Sequence, residues 1–405
     1  MGKYIREIVP QVVYVFPECR PGGGPGGYCF NLLQGLSLLG AQESLKVLFP
    51  NTNTRRPSKV SRKFELLKGL PTCLSAFLVF VRSLMILQDA FRYFGFTGEQ
   101  IDEIKSSDVV VFHDHRLASA YLLNSNRPSN QKIIIMPHAP TDLSAEIIEN
   151  WKLSLGNSRI WNIIYRSLAK RELRTLLSAD SLLIPCRYAL DGYFTSMPER
   201  GSLFQLPFYE LPSGVRPLKA TQSPYKVRTS WGVDSKKIVG FFGRKHPHKG
   251  YDIFCQAAEL AYRYKKDIVF VSAGSGPISP PLHLPNFLDL GYLTTELADA
   301  IAAVDLVIVP NRVCYFDLVI LEAMSLGKPV LTTPVGGSRC LNSPGIFFVN
   351  DLSAENLMMA IDELLSKSDL EEAGKLNVEV FEDMYSLQPF ARRHLEFAKL
   401  IKEIL

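Results

Sequence analysis

A chain of 405 residues is long enough for two or three domains, each with its own core, and 47% hydrophobic against 21% charged residues excludes a disordered or fibrous protein. The net charge of +5 is too small to make nucleic acid a primary partner, and no nucleic-acid motif accompanies the bases. Seven cysteines, at 19, 29, 73, 186, 255, 314 and 340, are odd in number and without a CxxC, which argues against a disulfide framework and for a reducing compartment.

The amino terminus carries early charges and no small-residue cleavage site after an apolar stretch, so no signal peptide is expected and the location is expected to be cytoplasmic. Val12 to Phe16 reads as a strand. Gly22 to Gly27 then form a flexible loop before a helix from about Tyr28 to Leu39, stopped by Gly40, and Leu45 to Phe49 make a second strand. The glycine loop does not have the GxGxxG spacing, and no acidic residue follows the second strand at the right distance, which argues against a nicotinamide site.

Thr54 to Lys68 holds Arg55, Arg56, Lys59, Arg62, Lys63 and Lys68 against Glu65 alone, and Leu70 to Leu87 follows as an apolar run. Pro71 and Arg82 interrupt that run and argue against a bilayer span. Two readings stay open for 54–87: a solvated loop followed by a core helix, or a surface that touches anionic membrane on its inner face.

Val109 to Phe112 leads into His113, Asp114 and His115, and Lys132 to Met136 leads into Pro137 and His138. With His246 and His248 these give two HxH pairs, but no cysteine or carboxylate set stands at ligand spacing, so no metal site is expected. Pro207, Pro212, Pro217 and Pro224 punctuate a stretch of little periodicity, which places a hinge near 206–214.

In the second half, Lys237 to Phe242 reads as a buried parallel strand ending at Gly243, so Arg244 and Lys249 project beyond a strand's carboxyl end, where open α/β sheets bind ligands. An Arg fork and a Lys point charge suit a diphosphate. Ala302 to Pro310 reads as another strand. Glu322 begins an amphipathic helix, Leu321 to Leu326, whose first turn can hold a ribose, and a small-residue loop, Thr332 to Gly337, follows the strand Pro329 to Leu331. Pro389 to Leu405 has a helical apolar pattern.

The ordered series Gly243, Arg244, Lys249, Gly250, then AGSGP at 273–277, GYL at 291–293, AVDLVIVP, LEAM and GKPV resembles the retaining glycosyltransferases of family 4 (group 1), through most of the chain. That resemblance implies an α/β protein of the GT-B fold, with two Rossmann-like domains facing a central cleft. It implies an acceptor-side domain over 1–208, a nucleotide-sugar donor domain over 209–385, and a carboxyl-terminal helix, 386–405, crossing back to the first domain. It places Arg244 and Lys249 on the donor diphosphate, Glu322 on the ribose and His138 on the donor sugar, with Arg244, Lys249 and His138 as the catalytic group. Gly26, Gly27, Gly243, Tyr292, Phe316, Asp317 and Leu318 complete the expected donor site.

The family usually carries Glu, any residue, Phe, Gly eight residues before Glu322, where this chain reads Cys314, Tyr315, Phe316, Asp317. Either Asp317 takes over a sugar hydroxyl or donor-sugar binding is altered, and the residues leave both readings open. Cys314 reads as a small packing thiol.

The resulting expectation is a retaining hexosyltransferase, EC 2.4.1.-, that needs no metal. Its donor is expected to be a UDP-sugar, UDP-glucose first and GDP-mannose next. Its acceptor is expected to be a glycan or lipid-linked sugar of surface polysaccharide assembly. The rivals are a GT-B sugar-nucleotide epimerase and a non-catalytic sugar-nucleotide-binding protein.

Overall fold

The computed structural model describes residues 11–50, 67 and 69–404, apart from 125, 126 and 197. The chain forms two units: residues 1–184, 193–211 and 391–405 make the first, and 185–192 and 212–390 the second. Of the basic stretch read in the sequence, 54–66 and 68 lie outside the described residues.

In chain order the first unit contains β1 (Val12–Val15), α1 (Gly24–Leu38), β2 (Lys46–Leu48), α2 (Thr72–Gln88), α3 (Ala90–Phe94) and α4 (Gly98–Ser106). It continues through β3 (Val109–Phe112), α5 (His115–Asn124), β4 (Lys132–Ile135), α6 (Leu143–Leu155), α7 (Ile160–Leu177) and β5 (Ser181–Ile184). A short helix, α8 (Asp191–Ser196), precedes β6 (Phe208–Glu210). The six strands pair in parallel in the order β2-β1-β3-β4-β5-β6. β1, β3 and β5 are buried along their whole length, as parallel strands covered on both faces must be, so they read as unbroken apolar runs.

The second unit holds α9 (Pro224–Trp231), β7 (Lys237–Phe242), α10 (Tyr251–Arg263), β8 (Ile268–Ala273), β9 (Phe287–Asp289), α11 (Leu297–Ala303) and β10 (Leu306–Val309). It ends with α12 (Leu318–Ser325), β11 (Val330–Thr332), β12 (Ile346–Phe348), α13 (Ala354–Leu365) and α14 (Leu370–Met384). The last helix, α15 (Leu387–Ile404), starts in the second unit and finishes in the first.

The second sheet is parallel in the order β12-β11-β10-β7-β8-β9. The chain steps outward from β7 to β9, then returns to lay β10 on the other side of β7. This is the dinucleotide-fold strand order, whose reversal point opens a crevice beyond the carboxyl ends of the two central strands. Side-chain alternation feeds two cores: Ile238, Phe242 and Val307 pack on one face, Val239, Phe241 and Ile308 on the other. Both units are Rossmann-like α/β layers, as expected.

Three local readings need correction. Helix α1 begins at Gly24, not near Tyr28, because Pro25 presets a helical φ in the first turn; Gly26 and Gly27 are therefore buried helical residues, not loop. The stretch read as one strand, 302–310, divides: Ala302 and Ala303 end α11, and only Leu306–Val309 form the strand. Helix α12 starts at Leu318, which puts Glu322 in its second turn.

Candidate functional site

The reversal point between β7 and β10 gathers most of the residues singled out in the sequence. β7 delivers Gly243 and Arg244, both exposed, at its carboxyl end. Gly243 has φ of +156°, and a Cβ there would meet nothing within 4 Å, so the backbone is open to close approach by a ligand.

The neighbouring Lys245 turns inward instead. Its Nζ lies 2.6 Å from Asp289 on β9, in a pair whose lysine side chain is only 6% exposed, so it is a structural tie, not a ligand group.

A 3-10 turn, Pro247–Lys249, then presents Lys249. Gly250 ends that turn at φ of +66°, and a Cβ on it would lie 1.8 Å from the carbonyl oxygen of Pro310, so only glycine lets the turn seat against the end of β10. Arg312 fixes the two loops together. Its guanidinium makes both hydrogen bonds of a fork to the Asp252 carboxylate at 2.6 Å, donates to the Pro247 carbonyl, and its backbone N–H donates to His248 O at 2.9 Å.

Lys249 Nζ donates to Asp317 Oδ2 at 2.5 Å, and Asn311 Nδ2 donates to the same oxygen at 2.8 Å. Burial alone would raise the Asp317 carboxyl, but the Lys249 ammonium and the hydrogen bonds from Lys249, Asn311 and the Val319 backbone more than offset it and hold it below its ordinary value. Asp317 is therefore an ionised partner of Lys249, paired through Oδ2. Asn311 is 1% exposed, and its Oδ1 has no hydrogen-bond partner among the described residues. Sequence reasoning passed over Asn311 because a polar residue after a strand carries no spacing signal.

Glu322 lies close enough to feel Asp317. Burial first, and the Asp317 charge second, push its carboxyl up to about 7. Cys314 is 3% exposed and its thiol is pushed up to about 11, chiefly by burial, so it stays protonated and packs, as the sequence suggested. Phe316 and Leu318 are half-buried against the sheet core, whereas Tyr292 is 74% exposed.

In the first unit, the ends of β1, β3 and β4 bring together a buried network. His113 Nδ1 and His138 Nε2 share a hydrogen bond of 2.9 Å. His394 on α15 joins Tyr28 at 2.8 Å through Nε2 and Tyr14 at 3.1 Å through Nδ1. The Phe16 ring stacks on His113 with centroids 3.9 Å apart. Burial lowers all three imidazoles, His138 and His394 to about 3, so each is neutral at physiological pH and acts as a hydrogen-bonding ring, not as an acid. Tyr14 and His394 lie 380 residues apart, beyond the reach of any motif.

The family model described as "Glycosyl transferases group 1" matches residues 236–367, which contain every candidate residue of the second unit. Alpha-D-kanosaminyltransferase of Streptomyces kanamyceticus is 28% identical over 158 residues, covering 36% of this chain and 41% of the relative. The lipopolysaccharide core biosynthesis mannosyltransferase LpsB of Rhizobium meliloti is 25% identical over 287 residues, 61% of this chain and 80% of the relative. Among solved structures, Anabaena HepE in complex with UDP-glucose aligns over 96% of this chain and 99% of its own at a TM-score of 0.58 and 13% identity, a likeness of fold.

Proposed function

Since residues 236–367 make this chain a member of the group 1 glycosyltransferases of the GT-B fold, we propose that it is a retaining hexosyltransferase with UDP-glucose as donor and a glycan or lipid-linked sugar as acceptor. The observation that carries this reading is the placement of Arg244, Lys249 and Glu322 at the reversal point of the second sheet, inside the matched stretch.

In the reaction the bond from the sugar's anomeric carbon to the diphosphate breaks while the acceptor hydroxyl forms its bond on the same face. The acceptor's proton passes to the leaving phosphate oxygen, so no separate base is needed. Arg244 and Lys249 offset the charge that grows on the diphosphate. Glu322 accepts from the ribose hydroxyls. His138, a neutral imidazole held by His113, is suited to a sugar hydroxyl.

The complex of HepE with UDP-glucose favours a UDP-hexose, and the name of a similar protein, the GDP-mannose-dependent alpha-mannosyltransferase of Mycolicibacterium smegmatis, makes GDP-mannose the rival donor. The lipopolysaccharide role in the name of LpsB favours a surface polysaccharide as the destination.

Retention is tested by proton NMR of the product formed from UDP-α-glucose with a panel of lipid-linked and free glycan acceptors. An α-linkage, with UDP release that depends on acceptor, is expected. A β-linkage would exclude the retaining mechanism. UDP release or sugar epimerisation without acceptor would favour the epimerase instead.

A further inference from the structure

Helix α1 and the loop before it bring two of the seven cysteines together. Cys19 stands half-buried in the loop that leaves β1, and Cys29 stands fully buried in the second turn of α1. The loop lies tight against the helix start. The Arg20 N–H donates to the Gly26 carbonyl at 3.2 Å, and the Gly22 carbonyl oxygen lies 1.5 Å from where a Cβ on Gly27 would stand. A Cβ on Gly26 would likewise stand 2.8 Å from the Glu18 side chain. This close approach sets the Cys19 thiol beside the Cys29 thiol, and the two share a hydrogen bond.

The hydrogen bond gives the two sulfurs different parts. Cys29 donates, which holds the Cys19 thiol below its ordinary value against the effect of burial, and the same bond together with burial pushes the Cys29 thiol up. Cys255 and Cys314 behave differently: burial pushes their thiols up to about 12 and about 11. A half-exposed sulfur that gives up its proton readily therefore stands beside a protected thiol, the arrangement in which one cysteine is oxidised first and its neighbour resolves it. A disulfide needs sulfurs about 2.05 Å apart, closer than a hydrogen bond leaves them. The loop can supply that shift, since Gly22 and Gly24 have φ of +114° and +70°, and a Cβ on Gly23 or Gly24 would meet nothing within 4 Å.

We propose that Cys19 and Cys29 are a modification site, a dithiol that a hydroperoxide oxidises reversibly to a disulfide and that thereby fastens the loop to α1. The Cys19 thiolate attacks one oxygen of the peroxide. The O–O bond breaks, hydroxide leaves and takes up a proton to become water, and Cys19 is left as the sulfenic acid, oxidised by two electrons. The Cys29 sulfur then attacks the Cys19 sulfur, the S–O bond breaks, and the hydroxyl leaves as a second water with the Cys29 proton. Two thiols and one peroxide thus give one disulfide and two waters. The closed ring contains Gly26 and Gly27, so it also fixes the helix start that carries them.

The test is thiol mapping of the full chain after treatment with hydrogen peroxide and removal of the excess with catalase. Unreacted thiols are blocked with iodoacetamide in urea, and trypsin then leaves both cysteines on one peptide, 7–46, because Pro21 protects the bond after Arg20. Cys19 and Cys29 should escape the block together, at least tenfold faster than the exposed Cys73, and should become alkylatable again after dithiothreitol. In Cys29→Ala, dimedone should trap Cys19 as the sulfenic acid. In Cys19→Ser, a change confined to the half-buried loop that leaves the core side chains in place, Cys29 should stay free to alkylate. No sugar takes part, so the site can fail while the transfer reading stands, and the reverse. Oxidation of the pair no faster than that of Cys73, loss that dithiothreitol does not reverse, pairing of either sulfur with a different cysteine, or Cys29 oxidised as fast in Cys19→Ser as in the parent would each overturn the proposal.

Discussion

Lys249→Ala is expected to lower turnover by about 10² to 10³-fold, the scale seen when one preorganised charge stabiliser is removed, and to destabilise the second unit as well. The second effect follows from Asp317. With its ammonium partner gone, the buried carboxylate keeps hydrogen bonds from Asn311 and the Val319 backbone but no opposite charge, and removing one member of such a pair costs about 3 kcal/mol, the low end of the range for buried pairs. The low end applies because the Lys249 side chain is 33% exposed and partly screened.

The two effects separate in the double variant. Lys249→Ala/Asp317→Asn removes the orphaned charge and should recover most of the unfolding free energy in urea titration, while turnover stays low. Recovery of turnover in the double variant would mean that Lys249 acts only by neutralising Asp317, and that the charge-stabilising role assigned to it is wrong.

Glu322→Gln is expected to stabilise the fold at pH 8 while weakening donor binding. A carboxyl whose folded-state pKa lies above its unfolded one destabilises the fold as soon as it must ionise. The cost is absent below the unfolded value of 4.5, grows as pH rises to about 7, and is constant above that. A gap of between two and three pKa units corresponds to about 3 kcal/mol, so the variant should gain up to that at pH 8 and nothing at pH 4.

The same titration predicts the kinetics. Only the ionised carboxylate accepts from both ribose hydroxyls, and its population rises about tenfold between pH 6 and pH 8 for a group titrating near 7. KM for the donor should fall by that factor over the interval in the parent and stay flat in Glu322→Gln. A variant less stable than the parent at pH 8, or one that keeps the parent's pH dependence, would contradict the assignment.

What the sequence conveyed was local. The run from Lys237 to Gly243, with Arg244 and Lys249 after it, names a strand end and its cations within thirteen residues, and the loop is where that reading placed it. The partner of Lys249 is 68 residues away, and Arg312 reaches back 60 residues to Asp252, so the geometry that seats the turn had no local signature. Asp317 was visible as a departure from a family pattern, but its pairing with Lys249 was not.

The misplaced boundaries have equally plain causes. From Ala302 to Pro310 the apolar residues are nearly continuous, and periodicity cannot separate a buried helix end from a buried strand in so short a run. At Gly24 the glycines suggested a loop, although Pro25 also satisfies the first turn of a helix, and packing on the first sheet favours the helix. For α2, the sequence showed an apolar run; which of its sides the unit covers depends on α6 and α7, more than sixty residues further on.

The second unit is expected to hold a nucleotide sugar at the β7–β10 reversal point. The direct measurement is calorimetric titration of the parent chain and of Arg244→Ala with UDP-glucose, UDP-galactose, UDP-GlcNAc, GDP-mannose and ADP-glucose, first without metal and then with magnesium. Metal-free binding of UDP-glucose in preference to the others, weakened at least tenfold in Arg244→Ala, is the predicted result. Binding of none of the five, or equal binding by the parent and the variant, would show that Arg244 and the β7–β10 reversal point do not hold the donor.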